Sequence, residues 1–222
     1  MLFAHIIMNN LSQEEKTLII SYLTLRKIIG LLAVSLPLIL SLGALIIEKK
    51  GIQSSISAYY FTSMGDIFIG ILFAIGFFLF SYKGYKKGKE LISDDMAGNI
   101  AGFLVIGVAV FPTRQLNTNV IHGICAVSFF LILSYFCIVL FTKTKDGKSP
   151  HGKKKKRNSI YRACGTVMLL CIGLLVVYIF FLPQKTREFV GEYNLIYWLE
   201  AIAILAFGIS WLTKGEAILK DN

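Results

Sequence analysis

Asp66, His122 and Glu200 are ionisable residues at the edge of, or inside, long apolar runs. A charged side chain within lipid costs on the order of a few kcal/mol, so such a residue turns toward the protein interior and takes a partner. Glu200 is the deepest of the three acids and bases. His122 is its nearest partner by depth, and Arg114 and Arg187 are within reach. One histidine, two acids and the serines Ser54, Ser55 and Ser57 supply the residue types of a nucleophile, a base and an orienting group. A GxSxG nucleophile elbow is missing, which weighs against a hydrolase of that class. The alternative chemistry is recognition, with Asp66, His122, Glu200, Tyr59, Tyr60 and Arg114 offering polar contacts to a ligand. A third reading makes the same residues a hydrogen-bonded clamp between helices.

These residues are held by an unusually apolar chain. Of its 222 residues, 55% are hydrophobic and 16% charged, against about 25% charged in a soluble domain. Spanning helices need about 20 mostly apolar residues. The apolar runs are too continuous for the alternating pattern of a barrel. The expected fold class is therefore an all-α integral membrane protein with six transmembrane helices, at about 28–47, 64–82, 96–111, 120–141, 160–182 and 194–213. Residues 1–27 form an N-terminal segment on the cytoplasmic side or along the interface. Residues 214–222 form a cytoplasmic tail. The opening residues lack the basic region and cleavage site of a signal peptide.

Local signals support these elements. Ser12 and Glu15 have the spacing of a capping box. Pro37 sits mid-helix, where it removes a backbone hydrogen bond and is expected to kink the chain. Ser93 is a candidate N-cap, with Asp94 and Asp95 in the first turn beside the positive end of the helix dipole. Gly98 and Gly102 form a GxxxG pair that lets two membrane helices approach closely. Asn99 could bond across to a neighbouring helix. Cys125, Cys137, Cys164 and Cys171 lie in apolar runs without CxxC spacing and read as small buried side chains.

Orientation follows from the Lys and Arg count. One set of loops and termini carries 18 of them and the other set 5, so both termini are expected in the cytoplasm. The stretch 53–66 then lies on the outer face with His122 and Glu200. Glu200 is six residues beyond Asn194, about 9 Å into its helix. His5 and His151 fall on the opposite side. A zinc hydrolase, which needs about three protein ligands, is left with His122, Asp66 and Glu200. Trp211 would lie in the inner aromatic belt, and Tyr59, Tyr60, Tyr193, Tyr197 and Trp198 in the outer one. The cluster Lys153, Lys154, Lys155, Lys156 and Arg157 fixes topology and is placed to meet anionic lipid head groups. The net charge of +10 has this explanation rather than nucleic acid, since no basic stretch is interleaved with aromatics outside the apolar runs. Nothing in the sequence points to a cofactor or an oligomeric state.

The string Ser55-Ile56-Ser57-Ala58-Tyr59-Tyr60, with Gly70 after it, resembles the start of a family of uncharacterised bacterial six-span membrane proteins. Phe111-Pro112-Thr113, His122, Trp198-Leu199-Glu200 and Phe207-Gly208-Ile209-Ser210-Trp211 with Lys214-Gly215 extend the resemblance over most of the chain. It implies a location in the bacterial cytoplasmic membrane and says nearly nothing of activity. The layout is also similar to that of DRAM-like six-span proteins. Intramembrane ceramidase-type hydrolases use several histidines, which this chain lacks. The leading expectation is a multi-pass protein that binds or moves a small or lipidic ligand through an outward-facing polar pocket. Intramembrane lipid hydrolysis and a structural or partner-binding subunit are the alternatives.

Overall fold

The computed structural model describes residues 13–84, 90–113, 116–143 and 152–220. Arg114, His5, His151 and Ser12 lie outside the described residues. Seven α-helices are described: α1 (Gln13–Glu48), α2 (Gly65–Phe80), α3 (Asp94–Val110), α4 (Leu116–Tyr135), α5 (Gly152–Phe180), the short α6 (Gln184–Gly191) and α7 (Leu195–Lys214). A 3₁₀ turn, Ser57–Phe61, precedes α2, and a π turn, Phe136–Leu140, continues α4. There is no strand among the described residues.

Each of the six expected apolar runs is helical. Four of them are long and apolar enough to cross a membrane: Ser21–Glu48, Thr118–Leu140, Gly152–Phe180 and Leu195–Lys214. α2 and α3, at 16 and 17 residues, are shorter. The outward surface is apolar too. Leu42, Ile46, Phe103, Leu170 and Phe180 are all exposed. Helices apolar on every side are those of a membrane span or of a large core.

Neighbouring helices run antiparallel, as named contacts show. Tyr22 stacks on Tyr82 and Gly43 abuts Met64, which sets α1 against α2. α2 meets α3 through small residues. A Cβ on Gly98 would come within 2.8 Å of the Leu79 carbonyl, and one on Gly102 within 2.7 Å of the Phe80 ring. Gly76 faces Ile106 and Val105 across the same seam. Gly107 meets Cys125 between α3 and α4, and Gly165 meets Cys137 and Ile138 between α4 and α5. Gly30 and Gly208 let α1 and α7 touch backbone to backbone, each Cβ position lying 2.9 Å from the other's carbonyl oxygen. α1, α2, α3, α4 and α7 thus surround a central axis. α5 packs beside α4 and α7.

One end of this axis is filled by rings. Trp211 is fully buried among Tyr82, Phe136, Phe141 and Phe207. The π turn carries Phe136, Cys137 and Leu140 inward together. Trp211 is therefore a core residue, where the sequence suggested an interface anchor. Its place in the stripe Glu200, Ile204, Phe207, Trp211 turns it inward. The same correction applies to Tyr59 and Tyr197, at 0% and 4% exposure, whereas Tyr193 and Trp198 are exposed.

At this end Lys143 bonds Asp94 at 2.6 Å and Glu90 at 2.9 Å. Asp94 is completely buried. It opens α3 behind Ser93, whose hydroxyl accepts the Met96 N–H as an N-cap. The basic stretch read as loop is helical from Gly152 onward, because α5 begins there. Lys153 and Lys154 donate to the carbonyls of Lys220 and Phe141, and Arg157 is buried 3.8 Å from Glu216. Lys155 and Lys156 are exposed.

Candidate functional site

The opposite end of the axis is closed by the segment between α1 and α2. Its 3₁₀ turn begins with free backbone N–H groups, as any helical start does. Glu200, the first member of the α7 stripe, supplies the acceptor. Its Oε2 accepts the Ile56 N–H at 2.6 Å, and the Ser57 N–H also faces the carboxylate. That distance is short for an N–H···O hydrogen bond.

Ser57, the first residue of the turn, reaches α4. Its Oγ lies 2.7 Å from His122 Nε2. His122 Nδ1 lies 2.9 Å from the carbonyl oxygen of Phe111. That carbonyl is left over at the end of α3, where Pro112 stops the helix. A carbonyl can only accept, so Nδ1 carries the proton. In the neutral ring Nε2 is then bare and accepts the Ser57 hydroxyl proton. Ser57 and His122 are both buried, at 9% and 6% exposure. The relay Ser57 Oγ–H, His122, Phe111 carbonyl has the connectivity of a nucleophile, a base and an orienting acceptor.

A second set of bonds fixes the segment. The Tyr197 N–H donates to the Ser54 carbonyl at 3.1 Å. The Tyr197 hydroxyl is 2.5 Å from Ser41 Oγ, and the Tyr59 hydroxyl donates to the same Ser41 oxygen at 3.3 Å. The Gln53 N–H donates to the Tyr59 oxygen. Ser41 is held in turn by the Pro37 carbonyl, at 2.7 Å. Glu48 accepts the Ser63 N–H and pairs with Lys50. Asn194, in the left-handed region at φ 53, turns the chain into α7; asparagine takes that conformation more readily than most residues.

Beneath the turn lies a cavity of about 60 Å³. Five helices and the turn line it, and Glu200 and Ser57 are the polar side chains on its wall. The rest is apolar, including Phe68, Phe129, Phe130 and Phe207. An engineered cavity of about 150 Å³ admits benzene. The smaller volume here fits about two or three non-hydrogen atoms, a small head group with its adjoining methylene, rather than a ring system or a long chain.

Of the residues singled out from the sequence, His122 and Glu200 meet at this turn, each bonded to it and not to the other. Tyr59 is buried in the bonds that hold the turn. Tyr60 is half-buried and packs on Phe61. Asp66 is exposed in the first turn of α2. The buried stripe of α2 is Gly65, Phe68, Leu72, Ile75, Gly76 and Leu79, and position 66 falls off it. Arg114 is outside the described residues. Glu200's expected side-chain partner proves to be backbone N–H. Ser57, one of three neighbouring serines, is the one that reaches His122. Among the described residues no three His, Cys, Asp or Glu side chains gather to hold a metal ion.

No protein-family model, curated protein or solved structure matches this chain.

Proposed function

We propose that the protein spans the bacterial cytoplasmic membrane six times with both termini in the cytoplasm, and that it binds or moves a small apolar or lipidic ligand through the cavity beneath the 3₁₀ turn. The six-span reading is supported by height. Met64 and Tyr82, flanking α2, abut residues 43 and 22 of α1. Twenty-one residues of helix rise about 31 Å, close to the hydrocarbon thickness of about 30 Å. α3 likewise reaches from Asp94, beside Lys143, to Phe111, beside His122. The orientation is supported by the 18 to 5 division of Lys and Arg. It puts the Glu200 end outward and the Trp211 end inward. Exposed Lys155 and Lys156 would then meet anionic head groups of the inner leaflet.

The single observation behind the ligand reading is the cavity itself, apolar on five helices with Ser57 and Glu200 at its polar edge. Small, apolar sites with a few placed polar groups are the usual form of ligand pockets. Native mass spectrometry of the protein released from lipid nanodiscs tests it. A small ligand should remain bound to the wild type and be lost from Ala126→Phe, which fills the cavity. Equal retention by both proteins refutes the reading. Cysteine labelling of intact cells at Gly51→Cys but not Lys155→Cys is the matching result for topology.

Intramembrane hydrolysis is the second reading. The Ser57–His122–Phe111 relay favours it, since it leaves the serine hydroxyl hydrogen-bonded to a bare imidazole nitrogen. A fluorophosphonate probe should then label the wild type and not Ser57→Ala. Absence of Ser57-dependent labelling leaves the relay a structural one.

A further inference from the structure

The hydrogen-bond directions at the cavity edge limit what can bind there. Ser57 has one proton, and the bare Nε2 of His122 takes it. Its oxygen is left with lone pairs only. Glu200 accepts the Ile56 N–H on Oε2, and in its carboxylate form both of its oxygens are acceptors only. The two polar side chains on the wall thus offer acceptors and no free donor. A complementary ligand must donate.

Charge narrows the class further. Glu200's bonding partners at the turn are backbone groups. A carboxylate in apolar surroundings gains most from a positive partner, because the attraction is screened least there. The cavity wall also carries Phe68, Phe129, Phe130 and Phe207, whose ring faces attract a cation. A bare metal ion would lose its hydration to a wall that is mostly hydrocarbon, which is prohibitively costly. A cation attached to an alkyl chain satisfies both parts of the site. The volume of about 60 Å³ admits a slender head group and excludes aromatic or multiply branched ones.

We infer that the site recognises a short primary alkylammonium, its N–H groups donating to Glu200 and to Ser57 Oγ and its one or two carbons lying against the phenylalanines. The inference rests on the cavity reading above and names the ligand class for that same site.

Matched ligands test it. The intact protein in phosphatidylcholine nanodiscs is titrated calorimetrically at pH 7 with ethylamine and, separately, with ethanol. Ala126→Phe in identical discs provides the baseline for partition into lipid. Ethylamine should bind saturably at one site and at least ~10-fold tighter than ethanol, the scale set by a hydrogen bond to a charged group. Glu200→Gln should remove that preference while leaving ethanol binding in place. Ser57→Ala should weaken ethylamine several-fold. Ethanol binding as tightly as ethylamine to the wild type overturns the ammonium assignment and leaves the cavity reading intact. So does a preference that survives in Glu200→Gln. If neither compound binds above the Ala126→Phe baseline, the cavity reading fails and this inference with it. The wild-type comparison of amine with alcohol needs no variant, so it decides the matter even where Glu200→Gln does not fold.

Discussion

The two ends of the bundle both bury an acid, and they treat it differently. At the Trp211 end Asp94 is fully buried, met by Lys143 at 2.6 Å, with rings packed around the axis. At the other end Glu200 is half-buried, met by backbone N–H, and borders a cavity. One face of α7 links the two, running from Glu200 through Ile204 and Phe207 to Trp211. A buried ion pair set in close packing is a structural joint, and breaking it leaves an uncompensated charge. An acid held only by amides, with open space next to it, has acceptor capacity left over. The contrast separates a part of the molecule built to hold together from one built to receive something.

The largest effect expected on this view is at the filled end. Lys143→Met strands Asp94 and should cost about 3–5 kcal/mol, read as a lower melting temperature in detergent. Adding Asp94→Asn should recover most of the loss, because the completely buried member of the cluster is then neutral. pH sharpens the test. Burial pulls the Lys143 ammonium down, but Asp94 and Glu90 together outweigh it and hold it above its usual 10.5. A pKa raised by folding means that the contribution is complete below about 10.5 and fades as the pH climbs through the folded value. The gap between wild type and Lys143→Met should therefore be constant near neutrality and narrow in strong alkali. A gap that does not change above pH 10.5 would remove the ion pair from the explanation.

Next in size is the seam between α2 and α3. Gly102→Val pushes methyl groups toward the Phe80 ring and the Gly76 carbonyl, 2.7 and 3.0 Å from the Cβ position. Overpacking of this kind costs about 1–3 kcal/mol. The variant should melt lower than wild type and keep its selectivity between ligands, since Gly102 does not line the cavity and the polar groups at its edge, Ser57 and Glu200, are on other elements. A change in selectivity without a change in melting would contradict the division between the two ends.

What the sequence revealed follows the same division. The six helices are legible because apolar length and helical spacing are properties of residue types. The GxxxG pair is legible for the same reason, and Gly98 and Gly102 do sit at a close helix contact. Depth along the chain also puts His122 and Glu200 at one end. Their partners are not legible, because Ile56 N–H and Phe111 C=O are backbone groups that every residue has. Pairing Glu200 with His122 from side chains alone was bound to miss both caps. Asp66 could have been set aside by period alone, being one residue off the stripe that starts at Gly65. Trp211 shows the reverse case: an aromatic near a helix end reads as an anchor until Tyr82 and Phe136, distant in sequence, surround it.

Ser57→Ala comes third. It removes one neutral hydrogen bond and leaves His122 Nε2 buried without its donor, at a cost of about 1–2 kcal/mol. Replacement by threonine should restore most of the loss if the bond to His122 is what matters. A melting temperature unchanged in Ser57→Ala would show that the relay contributes nothing to holding the turn against α4.

The smallest change in stability is expected where the largest change in binding is. Glu200→Gln keeps a carbonyl oxygen that can accept the Ile56 N–H. It places an amide NH₂ where the second carboxylate oxygen was, which disturbs the Ser57 N–H facing it. The sum should be about 1 kcal/mol, well under the cost of Lys143→Met. The variant loses the negative charge at the cavity edge altogether, so discrimination between amine and alcohol should collapse in a protein that melts nearly as the wild type does. A loss of stability equal to that of Lys143→Met would make Glu200 a clamp of the same kind as Asp94, and the two ends would then differ only in how tightly they are packed.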